Sequence, residues 1–221
     1  VVVASHAVAA PVVNTNSSSG AFPVSNSDLL EGIVGTVGPG ALGGQEGTSN
    51  NPAILTNGQF GTGGGPLDLG ETVSISNNTT VTWQLDTLLS PGGYDITGLN
   101  VYSGWRDAGR DRQDYTARYA TVDDPGTFID IASVAGFNPS PSNSGESLIT
   151  DDMGLIASGV GEIQLFFPNQ ENGYVGYREV DVFGTTNAAV TEPASVAIWS
   201  LLGFGIAGFG VYRALRTKQH G

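Results

Sequence analysis

An uncharged stretch near the C-terminus constrains most strongly what this chain can fold into. Nineteen consecutive residues, 194–212, carry no charge, and Arg213, Arg216 and Lys218 follow them. About 17–25 apolar residues suffice for a helix that spans a bilayer, and basic flanks stay on the cytoplasmic side. The pattern therefore predicts a transmembrane helix over 194–212, a basic cytoplasmic tail over 213–221, and export of everything before them. A buried core helix of a soluble protein is the alternative interpretation.

The residues just before this stretch carry a resemblance to a known signal. Thr191, Glu192 and Pro193 precede a glycine-rich apolar segment and an arginine-containing end. This order resembles the PEP-CTERM sorting signal of exported bacterial proteins, with Thr191 in place of the usual first proline. The resemblance implies anchoring in the inner membrane, recognition by an exosortase-type membrane protease, and transfer to the cell surface or extracellular matrix. An uncleaved tail anchor is the alternative.

The N-terminal residues match the end of a secretory signal. Ala7 and Ala9 fit the small-x-small pattern of a signal-peptidase site, so residues 1–10 are interpreted as a signal-peptide remnant. A disordered tail is the alternative. Residues 11–21 are rich in Asn and Ser and are expected to form a linker. A β-sandwich domain is expected over 22–185, and a second linker with the sorting motif over 186–193.

Composition excludes several classes of partner and chemistry. Cysteine is absent, which excludes a disulfide framework and thiolate chemistry. All 21 acidic residues precede position 194, against five arginines, and five minus 21 gives a formal charge of −16 there. Such a negative surface argues against nucleic acid as a partner and favours a divalent cation. The 33 glycines, with many Ser, Thr and Asn, are typical of an all-β chain with many turns.

Alternating apolar and polar residues predict several short strands. A period of two places every second side chain on the same face of a strand. Turn residues separate these segments at the spacing of a β-sandwich or jelly roll. The alternating apolar positions are Val81, Trp83 and Leu85; Ile96, Leu99 and Val101; Tyr115, Ala117 and Tyr119; Phe128, Ile129, Ile131 and Val134; Ile163, Leu165 and Phe167; and Tyr177, Val180, Val182 and Phe183.

Three stretches of the chain resemble a known domain type. They read YDITGLNVYSGW at 94–105, GRDRQDY at 109–115 and GYREVDVFG at 176–184. Together they resemble the discoidin-type, galactose-binding-like domain, from about residue 50 to 184. The resemblance implies an eight-stranded jelly roll. Many members of that family bind glycans through loops at one end of the barrel, and many have no known ligand.

The same resemblance implies a structural calcium site. The family's loop ligands and its glutamate in the last strand correspond to Asn57, Gln59, Thr62 and Glu179. Calcium takes six to eight oxygen ligands, which amide, hydroxyl, carboxylate and carbonyl groups can supply. Asn57 stands where the family usually has Asp, and Gln59 is longer than the usual Asn. A plain Asn-Gly turn is the alternative.

A charged loop after the second clear strand supplies candidates for glycan contact. Residues 105–114 hold three of the chain's arginines interleaved with aspartates, next to a tryptophan. Aromatic faces and planar charged groups suit sugar rings and hydroxyls, so Trp105, Arg106 and Arg110 are the glycan-contact candidates. The alternative is an Arg/Asp network that fixes a long loop, with Trp105 covering the core.

Catalysis is poorly supported. The histidines are His6 and His220, both outside the expected domain, so the domain contains no Ser-His or His-metal arrangement. We expect a non-enzymatic, exported carbohydrate-binding-like module whose partner is a polysaccharide. A structural extracellular-matrix protein without a small ligand is the alternative.

Overall fold

Strands form almost all the regular structure in the part of the chain that is described. The computed structural model describes residues 10–61, 69–107, 109–139 and 141–187. Its strands are β1 (Val12–Ser18), β2 (Thr36–Val37), β3 (Leu42–Gly43), β4 (Val73–Ser76), β5 (Thr79–Gln84), β6 (Tyr94–Gly104), β7 (Gln113–Thr121), β8 (Asp124–Phe137), β9 (Ser144–Thr150), β10 (Ala157–Phe167) and β11 (Tyr174–Thr186). Short 3₁₀ helices lie at Gln45–Gly47, Pro52–Thr56, Leu69–Glu71 and Glu171–Gly173.

The strand pairings form two sheets. One sheet has the order β2-β5-β10-β7-β8, and the other has the order β3-β4-β11-β6-β9-β1. The two sheets connect where the start of β10 pairs with the start of β6, next to a bulge between Ala157 and Val160. The pairings between these strands are antiparallel. The prediction of an all-β sandwich is therefore confirmed.

The core lies between the two sheets and is formed by the alternating apolar residues. In β10, Ile163, Leu165 and Phe167 are fully buried. In β11, a bulge between Tyr177 and Glu179 resets the alternation, so that Val180 and Val182 also enter the core. A one-residue shift in either strand would move these side chains to the opposite face, so the apolar pattern sets the register.

Loop segments near the N-terminus pack along β11. The Leu29 N–H donates to the Val182 carbonyl (2.8 Å), which extends the sheet beyond the end of β4. Phe22 and Phe60 pack against Tyr102, with ring centroids 5.8–6.0 Å apart. These segments therefore cover polar side chains of β11 that point away from the core.

The expected linker at 11–21 is wrong, because most of it is a strand. Residues Val12–Ser18 form β1, which pairs with β9 over seven consecutive residues. Backbone hydrogen bonds to an existing sheet edge compensate for the weak apolar content of this segment. The compact unit that contains the sheets ends at Asn187, close to the expected boundary at 185.

The remaining terminal predictions lie outside the described residues. These are the signal remnant up to residue 9, the sorting motif, and the helix and tail over 194–221. Within the described ranges, none of the helices has the length and apolar character needed to span a membrane.

Deleting residues 1–19 should destabilise the domain, whereas deleting residues 1–10 should not. The longer deletion removes β1, including Val13, which packs against the core. Loss of about 2 kcal/mol of cross-strand interaction corresponds to a melting temperature lower by about 4–8 °C. Thermal unfolding followed by circular dichroism measures this, and equal melting temperatures for both deletions would restore the linker interpretation.

Candidate functional site

The first candidate site surrounds Glu179 on β11. Glu179 is fully buried, and its Oε2 accepts a hydrogen bond from the Gln59 N–H (3.4 Å). Among the residues that the structure describes, its Oε1 has no hydrogen-bond partner. Two residues further along the same face, Asp181 accepts from the Ser25 N–H (2.8 Å) and the Tyr102 hydroxyl (3.3 Å). Asp181 Oδ1 and the nearby Asp28 Oδ2 are also buried with no partner in the described part of the chain.

These buried carboxyl groups hold their protons unusually tightly. Burial raises the pKa of Glu179 to about 9, and the neighbouring Asp181 charge adds to the effect. Burial also raises the pKa of Asp181 to about 7, with further contributions from Asp28 and Glu31. The cause is that a carboxylate loses its hydration when it is enclosed and no cation lies against it. A cation bound at Glu179 would lower the pKa of this carboxyl group again.

The structure brings only part of the expected calcium ligand set together. The loop at 57–59 does approach Glu179, through the Gln59 N–H. The Asn57 side chain points elsewhere, because its Nδ2 donates to Glu71 Oε2 (3.1 Å) and its Oδ1 accepts from the Gln59 N–H (3.1 Å). Thr62 lies outside the described residues. Across the described ranges, no three His, Cys, Asp or Glu residues converge as a metal site. The partnerless Glu179 Oε1 is the feature that fits a cation.

The second candidate site is the loop at 105–114. Trp105 is fully buried, so its ring has no face open to a sugar in this structure. It packs against Gly176, where a Cβ atom would lie 2.6 Å from the indole ring. The Arg110 guanidinium lies over the same side chain, 5.5 Å from the ring centroid. Trp105 is therefore placed as a packing residue of this loop rather than as a sugar-stacking platform.

Two of the three arginines of this loop pair with one carboxylate. Arg106 Nη2 lies 2.5 Å from Glu46 Oε2, and Arg110 Nη1 lies 2.6 Å from Glu46 Oε1. Arg106 keeps 42 % of its side chain exposed. Such a network fixes the loop, as the alternative interpretation expected. Contact of Arg106 and Arg110 with a glycan stays a prediction.

A groove of about 390 Å³ on the outer face of the β5–β10–β7 sheet is the third candidate site. The sequence did not predict it. Its polar lining consists of the Glu162 carboxyl group, an amide and two hydroxyls. Prolines and a valine provide the apolar walls. The lining residues are Gln84, Thr87, Pro91, Thr121, Val122, Pro125, Gly161 and Glu162. Cavities of this size lie within the usual range for small-molecule sites, about 300–1,000 Å³.

Glu162 lies between two strands at the groove. It pairs with Gln84 of β5 on one side and with Ala120 of β7 on the other. Gly161 allows Val122 to pack closely beside this point, since a Cβ atom at Gly161 would lie 3.0 Å from a methyl carbon of Val122. Glu162, Gly161 and Val122 all line the groove.

One wall of the groove is a well-fixed loop. The N–H groups of Leu88 and Leu89 donate to Asp86 Oδ1 (3.0 and 3.1 Å). The Tyr94 hydroxyl donates to the Asp86 carbonyl (2.9 Å), and the Ser90 hydroxyl donates to the Gly93 carbonyl. These bonds hold Thr87 and Pro91 in place without a ligand. A preformed wall reduces the entropy lost on binding.

The sequence does contain a weak signal for this groove. Glu162 occupies the outward position of a strand whose inward positions are apolar, and Gly161 precedes it. An outward glutamate is ordinarily solvent-exposed, so the pattern alone does not indicate burial. Glu162 pairs with Gln84 and with Ala120, which lie 162 − 84 = 78 and 162 − 120 = 42 positions earlier in the chain, so the local sequence does not reveal these neighbours.

The similarity of this chain to solved structures concerns its fold alone. No protein-family model and no curated protein matches the sequence. Among solved structures, a Clostridium perfringens module in complex with GalNAc-β-1,3-galactose is 15 % identical, with coverage of 71 % of this chain and 99 % of that chain and a TM-score of 0.47. A family 32 carbohydrate-binding module from the same organism, in complex with galactose, is 13 % identical, with coverage of 67 % and 92 % and a TM-score of 0.43.

A third similar structure is a fucose-binding module from Streptococcus pneumoniae. It is 14 % identical, with coverage of 71 % of this chain and 94 % of that chain and a TM-score of 0.45. At this identity and TM-score, the likeness identifies neither a ligand nor a binding residue of this chain. Any assignment of a ligand therefore depends on the side chains described above.

Proposed function

We propose that this chain is an exported glycan-binding module, and that the glycan binds in the groove around Glu162. The observation that carries the proposal is the set of polar groups that face this groove. Glu162, Gln84, Thr87 and Thr121 supply carboxylate, amide and hydroxyl groups. Sugar hydroxyls bind such groups through hydrogen bonds, and the apolar faces of sugar rings pack against flat apolar side chains such as Pro91.

The loop at 105–114 is less suited to glycan binding in the conformation that the structure shows. Trp105 is enclosed, and Glu46 already forms ion pairs with Arg106 and Arg110. Binding there would require those ion pairs to open. The groove needs no such rearrangement, because its fixed wall and open volume are present without a ligand.

Replacing Thr121 by Val should weaken glycan binding about five-fold. The substitution keeps the shape of the side chain and removes one hydroxyl from the groove, and one hydrogen bond contributes about 1 kcal/mol. The measurement is binding of the full chain, in mild detergent, to a glycan array, followed by titration calorimetry with the best ligand.

Arg106→Gln is the matched comparison, because it alters the competing loop and leaves the groove intact. It should bind the same glycan with unchanged affinity. Loss of binding in Arg106→Gln but not in Thr121→Val would assign the glycan to the loop at 105–114. Absence of binding to every glycan, with and without calcium, would favour the structural-matrix role.

The second part of the proposal is a structural calcium ion at Glu179. The partnerless Glu179 Oε1 and its raised pKa support it, because both are relieved by a bound cation. Asn57, Gln59 and Thr62 remain the proposed loop ligands, and calcium would require the Asn57 oxygen to turn towards Glu179. Such an ion would tie the early loop to the last strand in a chain without cysteine.

Calcium should raise the melting temperature more at pH 8 than at pH 5. Folding raises the pKa of Glu179 from 4.5 to about 9 and that of Asp181 from 3.8 to about 7. The folded, metal-free state therefore binds more protons than the unfolded state, and it loses stability as the pH rises through this window. In chelator, the melting temperature should fall by several degrees between pH 5 and pH 8, and calcium should restore it.

Glu179→Gln should remove most of the pH dependence and the response to calcium. Asp107→Asn makes the same change of charge on an exposed loop and should respond as the original chain does. Thermal unfolding of both variants measures this. A calcium response in Glu179→Gln equal to that of the original chain would exclude Glu179 as a ligand.

The third part of the proposal concerns export. The motif at Thr191, Glu192 and Pro193, followed by the uncharged stretch and the basic end, supports processing by an exosortase-type protease at the inner membrane. The processed chain would then lie at the cell surface or in the extracellular matrix.

Intact mass of the chain from membrane and secreted fractions tests this processing. The secreted form should end near Pro193 and lack residues 194–221. Thr191→Ala together with Glu192→Ala should leave the full-length mass in the membrane fraction. A secreted chain that retains Arg213 and Lys218 would contradict processing at the motif.

A further inference from the structure

Glu162 is the one charged group in the groove, and it has no protein partner within the described ranges. It is 9 % exposed, and none of the hydrogen bonds or ion pairs of the described residues involves its carboxylate. Most of the side chain is covered while its carboxylate reaches the groove, so the carboxylate is available to pair with a ligand there.

The other outward residues of β10 described next have partners within the protein. Gln164 donates to the Thr82 hydroxyl (3.0 Å). Phe166 is covered by the Arg118 guanidinium, 4.8 Å from the ring centroid, and Arg118 also pairs with Asp130 (2.8 Å). The lack of a partner is therefore specific to Glu162, rather than a general property of this sheet face.

The surroundings of Glu162 favour a positively charged ligand. Among the described residues, no arginine or lysine lines the groove. The wall residues adjoin further acids in the chain, since Asp86 precedes Thr87 and Asp124 precedes Pro125. With a formal charge of −16 before position 194, the exported part as a whole repels anionic polysaccharides and attracts cations.

A metal ion alone does not suit this position. Divalent cations require several oxygen ligands, and the groove offers one carboxylate, with no convergent group of three metal-binding side chains found in the described ranges. A primary ammonium group needs fewer partners: one carboxylate and hydroxyl or carbonyl oxygens around it. Glu162, Thr121 and Thr87 supply these groups.

We infer that the groove recognises a glycan with free amino groups, such as a polymer of glucosamine, through an ion pair between the sugar ammonium and Glu162. This inference rests on the proposed glycan-binding function and specifies the class of sugar. Gln84 and the two threonines bind ring hydroxyls, while Pro91 and Pro125 contact the apolar faces of adjacent sugar units. An N-acetylated sugar of the same polymer would leave Glu162 without its cation.

Titration calorimetry with glucosamine oligomers and with matched N-acetylglucosamine oligomers tests the inference on the full chain. The glucosamine oligomer should bind at least about ten-fold more tightly at low salt, because a charge-assisted hydrogen bond is about twice as strong as a neutral one. The preference should shrink as salt increases, since salt screens the ion pair.

Glu162→Gln keeps the size of the side chain and removes its charge. It should lower the affinity for the glucosamine oligomer about ten-fold or more and change the affinity for the N-acetylated oligomer by less than about three-fold. Asp107→Asn, which makes the same change of charge in the loop at 105–114, should keep the preference. Unchanged melting temperatures establish that both variants are folded.

The outcomes separate the inference from the function on which it rests. Equal binding of both oligomers, with Thr121→Val weakening both, would overturn the amino-sugar preference and leave the glycan groove intact. A preference that persists in Glu162→Gln would remove this residue as its cause. Binding of neither oligomer, together with a negative glycan array, would overturn the proposed function as well.

Discussion

The pairing of β10 is the constraint on which the arrangement of both sheets depends. Its residues from Glu162 to Phe167 pair with β5 on one side, and nearly the same segment pairs with β7 on the other. Its first residues pair with β6, and a bulge separates the two parts. The strand therefore joins one sheet to the other. Its register also decides that Ile163, Leu165 and Phe167 fill the core while Glu162 faces outward.

The outer faces of the two sheets are used in different ways. Loop segments cover the outward carboxylates of β11, so Glu179 and Asp181 are buried with raised pKa values. The face around β10 carries a groove at Glu162, and Gly161 and Val122 are among its lining residues. The buried carboxyl groups on the first face suit a structural ion that the protein encloses. Partly buried charge on the second face suits a ligand that arrives from solvent.

Local sequence patterns predicted much of the fold. The alternation around Val81, Leu99, Tyr115 and Leu165 corresponds to β5, β6, β7 and β10. The pattern missed β1 and β9, because both are rich in Ser, Thr and Asn, and their stability comes from pairing with each other and with β6. Strands with little apolar content resemble linkers until their partner strands are known.

The sequence also predicted the candidate sites only in part, because several of their contacts join residues that are distant in the chain. The family resemblance placed the loop at 57–59 next to Glu179, and the two do meet. It could not show that Asn57 bonds Glu71, fourteen residues away, or that Trp105 is enclosed by Gly176. The groove depends on three strands that come together only in the folded chain, so no single segment predicts it.

The amino-sugar site at Glu162 would be visible in a crystal structure of the chain with a bound glucosamine oligomer. We expect a sugar unit between Pro91 and Pro125, with its amino group within hydrogen-bond distance of the Glu162 carboxylate. An oligomer bound instead at Arg106 and Arg110, with the groove around Glu162 filled only by water, would contradict it.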